Sequence, residues 1–361
     1  MINSVFAHPE FSHHENVVFC RDAASGLSAI IAIHSTVLGP GLGGCRMAPY
    51  GSDMDALSDV LRLSRGMTYK NALAGLPYGG AKAVIIGDPY ADKTPAMLAA
   101  FGRHIEHMAG RYITGEDVGI SVADMEAARS ATAHVRGIAE GGAGDPSPAT
   151  AYGVFAGIQA ALLHRTGSHD LRGKIVSLQG LGNVGMHLLD ALASAGAEVY
   201  VSDVRPDRVA AAVSRYGART VEASDAHQVQ ADVFAPCALG AVLNASSISE
   251  LGAGIVAGAA NNQLALPEDG ERLRARGILY CPDYVINAGG VISIAHEGPC
   301  FERARMLREV ARIGDTLGAI FRDAEAASLP TEVVADRRAE EVILARLEQG
   351  AHREGTALQA A

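Results

Sequence analysis

Two lysines flank a glycine-rich turn in Met67–Lys82, MTYKNALAGLPYGGAK. Around Lys70 and Lys82 stand Tyr69, Ala72, Leu73, Ala74, Leu76 and Val84–Ile86, poor company for an exposed ammonium. A lysine held among apolar groups has its charged form disfavoured, which makes it a usable base at working pH. The same residues read equally well as two surface lysines, one on a helix and one on a strand. Further on, Tyr112–Gly119 (YITGEDVG) offers Asp117 as an acid near the lysines; its alternative is a cap for a helix after Ser121. Gly39–Met47, GPGLGGCRM, holds so many glycines that something must approach its backbone closely, or several residues must take positive φ.

A second chemistry lies downstream. Lys174–Gln179 (KIVSLQ) reads as a strand. Gly180-Leu181-Gly182-Asn183-Val184-Gly185 follows as GxGxxG, then a helix to Ala195 and a strand Glu198–Ser202 ending in Asp203. The acid stands 23 residues after the first glycine. In a βαβ unit this is the dinucleotide fingerprint in its required context. The glycines let a pyrophosphate reach a helix N-terminus, whose dipole and free N–H groups favour anions. Asp203 can accept from the adenosine ribose hydroxyls and repels a 2′-phosphate, so NAD is expected over NADP; Arg205 and Arg208 lie close enough to weaken that preference.

The elements that must position these groups are legible in part. Residues 17–21 and 28–34 read as a hairpin, 53–65 as an amphipathic helix leading into the lysine segment, and 82–86 as a strand. Thr94 with Pro95 starts a helix to Met108. Gly141–Pro148, GGAGDPSP, marks a domain boundary, with Ser147 as N-cap of a helix through Leu163. Strands are expected at 232–236, 254–257 and 279–287, each opening into a loop. In open parallel sheets ligands lie outside the carboxyl ends of the strands, which places Cys237, Asn261, Asn262 and Asn287 beside the cofactor. Asn261 and Asn262 read equally as loop formers in the left-handed region. Cys237 reads as a small buried filler, since no histidine accompanies it. Helices over 301–326 and 331–349 close the chain, separated by Pro330.

Composition narrows the classes. The chain has 361 residues, enough for two domains, with 48% hydrophobic and 19% charged, so it is not a disordered chain. A net charge of -10 and a pI near 5.7 argue against nucleic acid and against an anionic membrane surface. No run approaches the ~18 apolar residues of a membrane helix, and the N-terminal residues show no secretory h-region. Five scattered cysteines, Cys20, Cys45, Cys237, Cys281 and Cys300, have no metal-ligand or CxxC spacing and fit a reducing cytoplasm. No metal is expected: His104 and His107 lack a third ligand nearby in sequence.

Taken together, seven motifs resemble the Glu/Leu/Phe/Val amino-acid dehydrogenase superfamily, in its leucine, valine and phenylalanine branch. They are GLGG at 41–44, MTYKNALAGLPYGGAK at 67–82, TGEDVG at 114–119, GDPSPATAYGV at 144–154, GLGNVG at 180–185, GAANNQL at 258–264 and PDYVINAGG at 282–290. The resemblance runs from about Leu38 to Gln349, and its specificity lies in the order and spacing of the whole set. It implies an α/β chain of two domains. An N-terminal α/β substrate and oligomerisation domain is expected over 1–140 with 331–361, and a doubly wound Rossmann-type NAD-binding domain over 141–330, with a cleft between them whose closure expels water. It further implies a cytoplasmic homo-oligomer, dimer or octamer.

The implied reaction is the reversible, NAD-dependent oxidative deamination of an L-amino acid to a 2-oxo acid and ammonia. Carried over by resemblance, Lys70 holds the substrate carboxylate with help from backbone at Gly43 and Gly44. Lys82 activates water and stabilises the carbinolamine, and Asp117 relays protons to and from the amine. Asn262 helps orient the substrate. Thr150 holds the nicotinamide carboxamide, Asn287 lies by the nicotinamide ribose, and Ala238 follows Cys237 in the cofactor set. Leu42, Gly115, Val291 and Ile294 line the side-chain pocket. Glutamate-specific relatives carry lysine at the position of Leu42 and serine at that of Ile294. A side-chain carboxylate facing Leu42 and Ile294 would be buried without a partner, at a cost of several kcal/mol on the order of desolvation energies. Gly115 stands where leucine-type members carry alanine, which leaves room for a ring. The expected substrates are therefore hydrophobic L-amino acids, phenylalanine or leucine first, tryptophan also admissible. A Rossmann oxidoreductase of different chemistry and a non-catalytic NAD-binding regulatory protein remain the alternatives.

Overall fold

The computed structural model describes residues 4–138, 144–238, 240–298 and 301–359, with side chains as far as 349. The chain forms two compact units. The first holds Met1–Asp145, Ile294–Phe301 and Ala339–Ala361; the second holds Pro146–Ser293 and Glu302–Arg338.

In the first unit the order is β1 (Asn16–Asp22), β2 (Leu27–Ser35), β3 (Gly41–Leu42), β4 (Cys45–Ala48), α1 (Asp53–Leu73), β5 (Gly79–Ile86), α2 (Pro95–Glu106), β6 (Tyr112–Ile113) and α3 (Val122–Arg129). The sheet runs β1-β2-β5-β3-β6, with β4 also paired to β5. β1, β2 and β5 pair antiparallel; β3, β4 and β6 add parallel pairs. Side chains alternate across a strand, so each strand feeds two layers. Ile30, Ala32 and Val84 pack with Ala56, Leu57, Val60 and Leu61 of α1. Ile31, Ile33, Ala83 and Ile85 pack with Leu98 and Phe101 of α2 and Met125 of α3. By the same alternation Lys82 shares the face of Val84 and points to the α1 side. Ser52 caps α1, Thr94 caps α2 with Pro95 behind it, and Ser121 with Asp124 forms a capping box on α3. The cap that Asp117 could have supplied is thus taken by Ser121. α1 continues to Leu73, well past Arg65, so Lys70 sits in its last turn.

The second unit contains α4 (Ser147–Thr166), β7 (Ile175–Gln179), α5 (Asn183–Ser194), β8 (Glu198–Ser202), α6 (Pro206–Tyr216), β9 (Arg219–Thr220), β10 (Val233–Pro236), α7 (Ala245–Glu250), β11 (Ile255–Val256), α8 (Glu268–Ala275), β12 (Leu279–Tyr280) and α9 (Asp283–Ile286). After these come α10 (Gly289–Ala295), α11 (Arg303–Ala327) and α12 (Thr331–Gln359). Its sheet is parallel throughout in the order β12-β11-β10-β7-β8-β9. The strand succession reverses between β7 and β10, which is the ligand-binding switch point of a doubly wound sheet.

Several expectations need correction. The strand expected over 279–287 stops at Tyr280; Pro282 leads into α9 and Asn287 follows that short helix. Ser147 is already inside α4, whose N-cap is Pro146 with no side-chain bond. The boundary drawn at 140/141 falls at 145/146, and residues 139–143 of that glycine-rich stretch lie outside the described residues, as does Cys300. Thr331–Arg338 belong to the second unit, because Thr331 donates to the Tyr280 carbonyl at 2.7 Å and Tyr284 donates to Asp336 at 2.6 Å. Ile294–Phe301 belong to the first, where both Glu297 carboxylate oxygens accept from the Gly137 N–H at 3.0 Å. Among the described residues no helix is long and apolar enough to cross a membrane.

Candidate active site

A ladder in the first unit sets out the chemistry. Gly41, Gly43, Cys45 and Met47 donate in turn to the carbonyls of Arg111, Ile113, Gly115 and Val118, at 2.9 to 3.2 Å. This brings the GLGG loop alongside TGEDVG. A Cβ on Gly44 would come 3.1 Å from the Asp117 Cβ and collide with the Glu116 carbonyl; one on Gly43 would collide with the Ala81 carbonyl. The glycines therefore serve close approach of two backbones. Gly43 has already committed its N–H to Ile113, so that donor is not available to a substrate carboxylate. Leu42 is buried, and its carbonyl accepts from Asn71, which also donates to the Gly79 carbonyl. Asn71 thereby fastens the last turn of α1, with half-buried Lys70 beside it, to β3 and the head of β5.

Lys82 is 7% exposed, and its Nζ lies 2.9 Å from Asp117 Oδ2. Arg46 Nε lies 3.4 Å from the same oxygen. Burial works to raise the Asp117 carboxyl, but Lys82 and then Arg46 outweigh it and hold it down at about 2. The opposite holds next door: burial, then Asp145 and Asp117, push Glu116 up. Arg46 NH1 reaches Asp59 Oδ2 at 2.8 Å, and that oxygen also accepts from the Tyr50 hydroxyl at 2.8 Å. A Cβ added at Gly115 would meet only the Arg136 carbonyl at 3.5 Å and Ile294 Cδ1 at 3.9 Å, so about one methyl of room is open there.

The second unit gathers another group at its switch point. Gly180 has φ +100°, and a side chain there would strike Ala238 and Cys237 at 2.8 to 2.9 Å. Gly185 lies against the Gly180 carbonyl. Gly182 differs: it is the N-cap of α5 with no side-chain cap bond, and a Cβ there would find nothing closer than Arg208 NH1 at 4.0 Å. Packing within the protein leaves room for a side chain at that glycine, and the first N–H groups of α5 have no side-chain cap. Asp203 stands at the end of β8, but its Oδ2 accepts from Leu181 N at 2.6 Å and its Oδ1 from Arg205 N at 2.8 Å. Part of its acceptor capacity therefore fastens the glycine turn, and Arg208 NH1 lies 3.8 Å away.

Burial drives the Cys237 thiol up to about 12, which removes it as a nucleophile. Its sulfur accepts from Ala259 N at 3.4 Å, and Asn287 Nδ2 donates to the Ala259 carbonyl at 3.1 Å and to Asn261 Oδ1 at 2.7 Å. The Asn287 Oδ1 is buried without a hydrogen-bond partner among the described residues. Thr150 donates to Pro146 in its own helix at 3.1 Å and sits against Gly290. Asn262 takes φ +51°, the loop-forming role weighed for it.

Similarity to known proteins places the whole chain. Residues 14–134 match the model of the Glu/Leu/Phe/Val dehydrogenase dimerisation domain, and residues 141–207 and 205–300 match that of Glutamate/Leucine/Phenylalanine/Valine dehydrogenase. The chain belongs to the Glu/Leu/Phe/Val dehydrogenase family. It is 50% identical to leucine dehydrogenase of Geobacillus stearothermophilus over 341 residues, covering 94% of this chain and 93% of that one. It is 47% identical to valine dehydrogenase of Streptomyces virginiae over 92% of this chain and 95% of the other. The crystal structure of L-tryptophan dehydrogenase from Nostoc punctiforme superposes with a TM-score of 0.80 at 43% identity, covering 92% and 97% of the two chains.

Within the family frame, the residues named from sequence divide between the units. Lys70, Lys82, Asp117, Leu42, Gly43, Gly44, Gly115 and Ile294 lie in the first, and Asn262, Val291 and the cofactor set in the second. α10 carries both Val291 and Ile294 and crosses the boundary. Sequence reasoning passed over Arg46, Asp59 and Tyr50. The available signal was Arg46 itself, a cation two residues beyond GLGG in a loop otherwise read only for its glycines.

Proposed function

We propose that this protein is an NAD-dependent L-amino-acid dehydrogenase that reversibly converts hydrophobic L-amino acids to 2-oxo acids and ammonia. The observation that carries the reading is the solvent-shielded Lys82–Asp117 pair at 2.9 Å, beside two glycine-lined backbones. A buried lysine against an ionised acid is suited to moving protons at an amine-bearing carbon. In this reading Lys70 anchors the substrate carboxylate, Lys82 handles the attacking water and steadies the carbinolamine, and Asp117 exchanges protons with the amine. Asn262 helps orient the substrate.

The residues around Gly182 fit a dinucleotide. Its pyrophosphate would lie on the N-terminus of α5, with Asp203 toward the adenosine ribose and Thr150, Asn261, Asn287, Cys237 and Ala238 toward the nicotinamide half. Bound NAD supplies the hydride acceptor. The first unit is read as the substrate and oligomerisation domain and the second as the NAD-binding domain of a cytoplasmic homo-oligomer. Leucine or phenylalanine is favoured as substrate, with tryptophan admitted. Support comes from apolar Leu42 and Ile294, the methyl-sized opening at Gly115, and relatives named leucine, valine and tryptophan dehydrogenases.

The test is NADH consumption with ammonia plus 4-methyl-2-oxopentanoate, phenylpyruvate or 2-oxoglutarate. Activity is expected with the first two and little with the third. Lys82→Ala should lower turnover by about 10³-fold or more while NAD still binds. Wild-type rates in that variant would overturn the mechanism.

A further inference from the structure

Asp117 Oδ2 is shut away from solvent, with Lys82 Nζ at 2.9 Å and Arg46 Nε at 3.4 Å crowding it. Arg46 Nε is likewise buried, with no directed acceptor among the described residues. The other end of the guanidinium is firmly held: Arg46 NH1 binds Asp59 Oδ2 at 2.8 Å, and Tyr50 and Arg62 complete the setting of Asp59 at 2.8 and 3.4 Å. Burial works against the charge on Arg46, but Asp117 and Asp59 together hold its pKa above the ordinary value. The result is a row of alternating sign, Lys82, Asp117, Arg46, Asp59, that runs from β5 across β4 to α1 within one unit.

We propose that Arg46, anchored by Asp59, is a positioning residue for the Lys82–Asp117 pair: it keeps Asp117 ionised through the cycle and sets the pH at which the pair can take up a proton. The inference rests on the dehydrogenase reading above. Whenever Lys82 gives up its proton, Asp117 loses its nearest counter-charge in a buried site. Arg46, which stays protonated throughout, is then the cation that supports the carboxylate. The remaining groups facing Asp117 do not fill that role. Glu116 beside it adds negative charge, and the Cys45 thiol, Tyr112 hydroxyl and Tyr50 hydroxyl are all driven upward by burial and stay neutral.

The rate of deamination rises with pH through the apparent titration of the pair, a property of both groups together. Positive charge nearby makes the proton easier to release, and negative charge makes it harder. Arg46→Gln should therefore move the ascending limb of kcat/KM up by about one pH unit. Asp59→Asn, which removes the balancing negative charge, should move it down. Arg46→Lys, which keeps the charge, should restore most of the wild-type limb.

A purely structural role for Arg46 would lower rates at every pH without moving the limb, and would not give opposite signs in the two neutralising variants. The measurements are pH profiles of kcat/KM for L-leucine oxidation, with NAD binding as a folding control. Limbs that shift in opposite directions carry the proposal. An active wild type with unmoved limbs in both variants overturns it alone. A wild type inactive on every amino acid overturns the dehydrogenase reading first. Should Arg46→Gln fail to fold, the direction of the Asp59→Asn limb decides by itself.

Discussion

Asp117 in the first unit and Glu332 in the second are both carboxyls withdrawn from water, and their surroundings drive them in opposite directions. Asp117 has Lys82 and Arg46 within 3.4 Å and is held down at about 2. Glu332 sits at the start of α12 beside Gly270, and neither of its buried oxygens has a hydrogen-bond partner among the described residues. Burial, with smaller contributions from Asp336 and Glu271, raises it to about 7. The lesson is that desolvation alone makes a carboxyl hold its proton, while two nearby cations reverse that at similar depth. Charge at the paired site is available for chemistry; charge at the unpaired one is a cost to the fold.

The strongest way to break the contrast is to take away the paired charge. Asp117→Asn leaves Lys82 and Arg46 facing an amide. Turnover should fall by about 10³-fold, and stability should fall as well, by about 3–5 kcal/mol, because buried Lys82 and half-buried Arg46 lose their shared anion. Steady-state kinetics and thermal melts check both. Near-normal turnover would remove Asp117 from proton transfer.

Next in size is the unpaired acid. A carboxyl raised from 4.5 to about 7 is neutral in the fold at low pH, so its cost appears only as pH climbs through that window and is complete above it. Glu332→Gln should leave stability unchanged at pH 4 and add about 2–3 kcal/mol at pH 8. Melting temperatures at the two pH values test this, and equal gains at both would show that the effect is not titration.

A half-buried histidine sharpens the comparison from the cationic side. Burial first, then His14 and Arg65, lowers His34 to about 3, and its Nδ1 lies 2.8 Å from Thr68 Oγ1 on α1. Its neutral form folds at no cost above the ordinary histidine value of about 6.5, and stability is lost as pH falls below that. At pH 5 the loss is about 2 kcal/mol. His34→Asn should flatten the drop in melting temperature between pH 7 and pH 5, and an unaltered slope would assign the acid lability elsewhere.

The smallest expected effect concerns room rather than charge. Gly115→Ala adds a methyl that meets only ordinary contacts at 3.5 and 3.9 Å, so folding should be unaffected. The kcat/KM ratio of phenylpyruvate to 4-methyl-2-oxopentanoate should fall by up to about tenfold, the scale of one methyl in an apolar pocket. A constant ratio would take Gly115 out of the pocket wall.

Much of this was legible because it is local. The fingerprint at 180–185, the cap Thr94, and the strands at 28–34 and 82–86 depend on neighbours a few residues away, where spacing maps directly onto geometry. The sheet order β12-β11-β10-β7-β8-β9 follows from successive parallel units in the second half. What escaped was contact between distant residues. Arg46 and Asp59 lie 13 positions apart, on a strand and a helix, and no period links them. Asp203 also fastens the turn in front of it, because the end of β8 delivers it to Leu181 N, a contact that spacing alone does not show.

The sequence by itself determined most of the longer elements, the glycine turn that leaves α5 uncapped, and membership in an amino-acid dehydrogenase family, since these rest on residue identity at fixed spacing. Only the tertiary structure decided that 294–301 and 331–338 exchange the units assigned to them, and that Asp117 is an anion between two cations. Those outcomes depend on which surfaces are withdrawn from water together, and desolvation and Coulomb attraction act through space without regard to position along the chain.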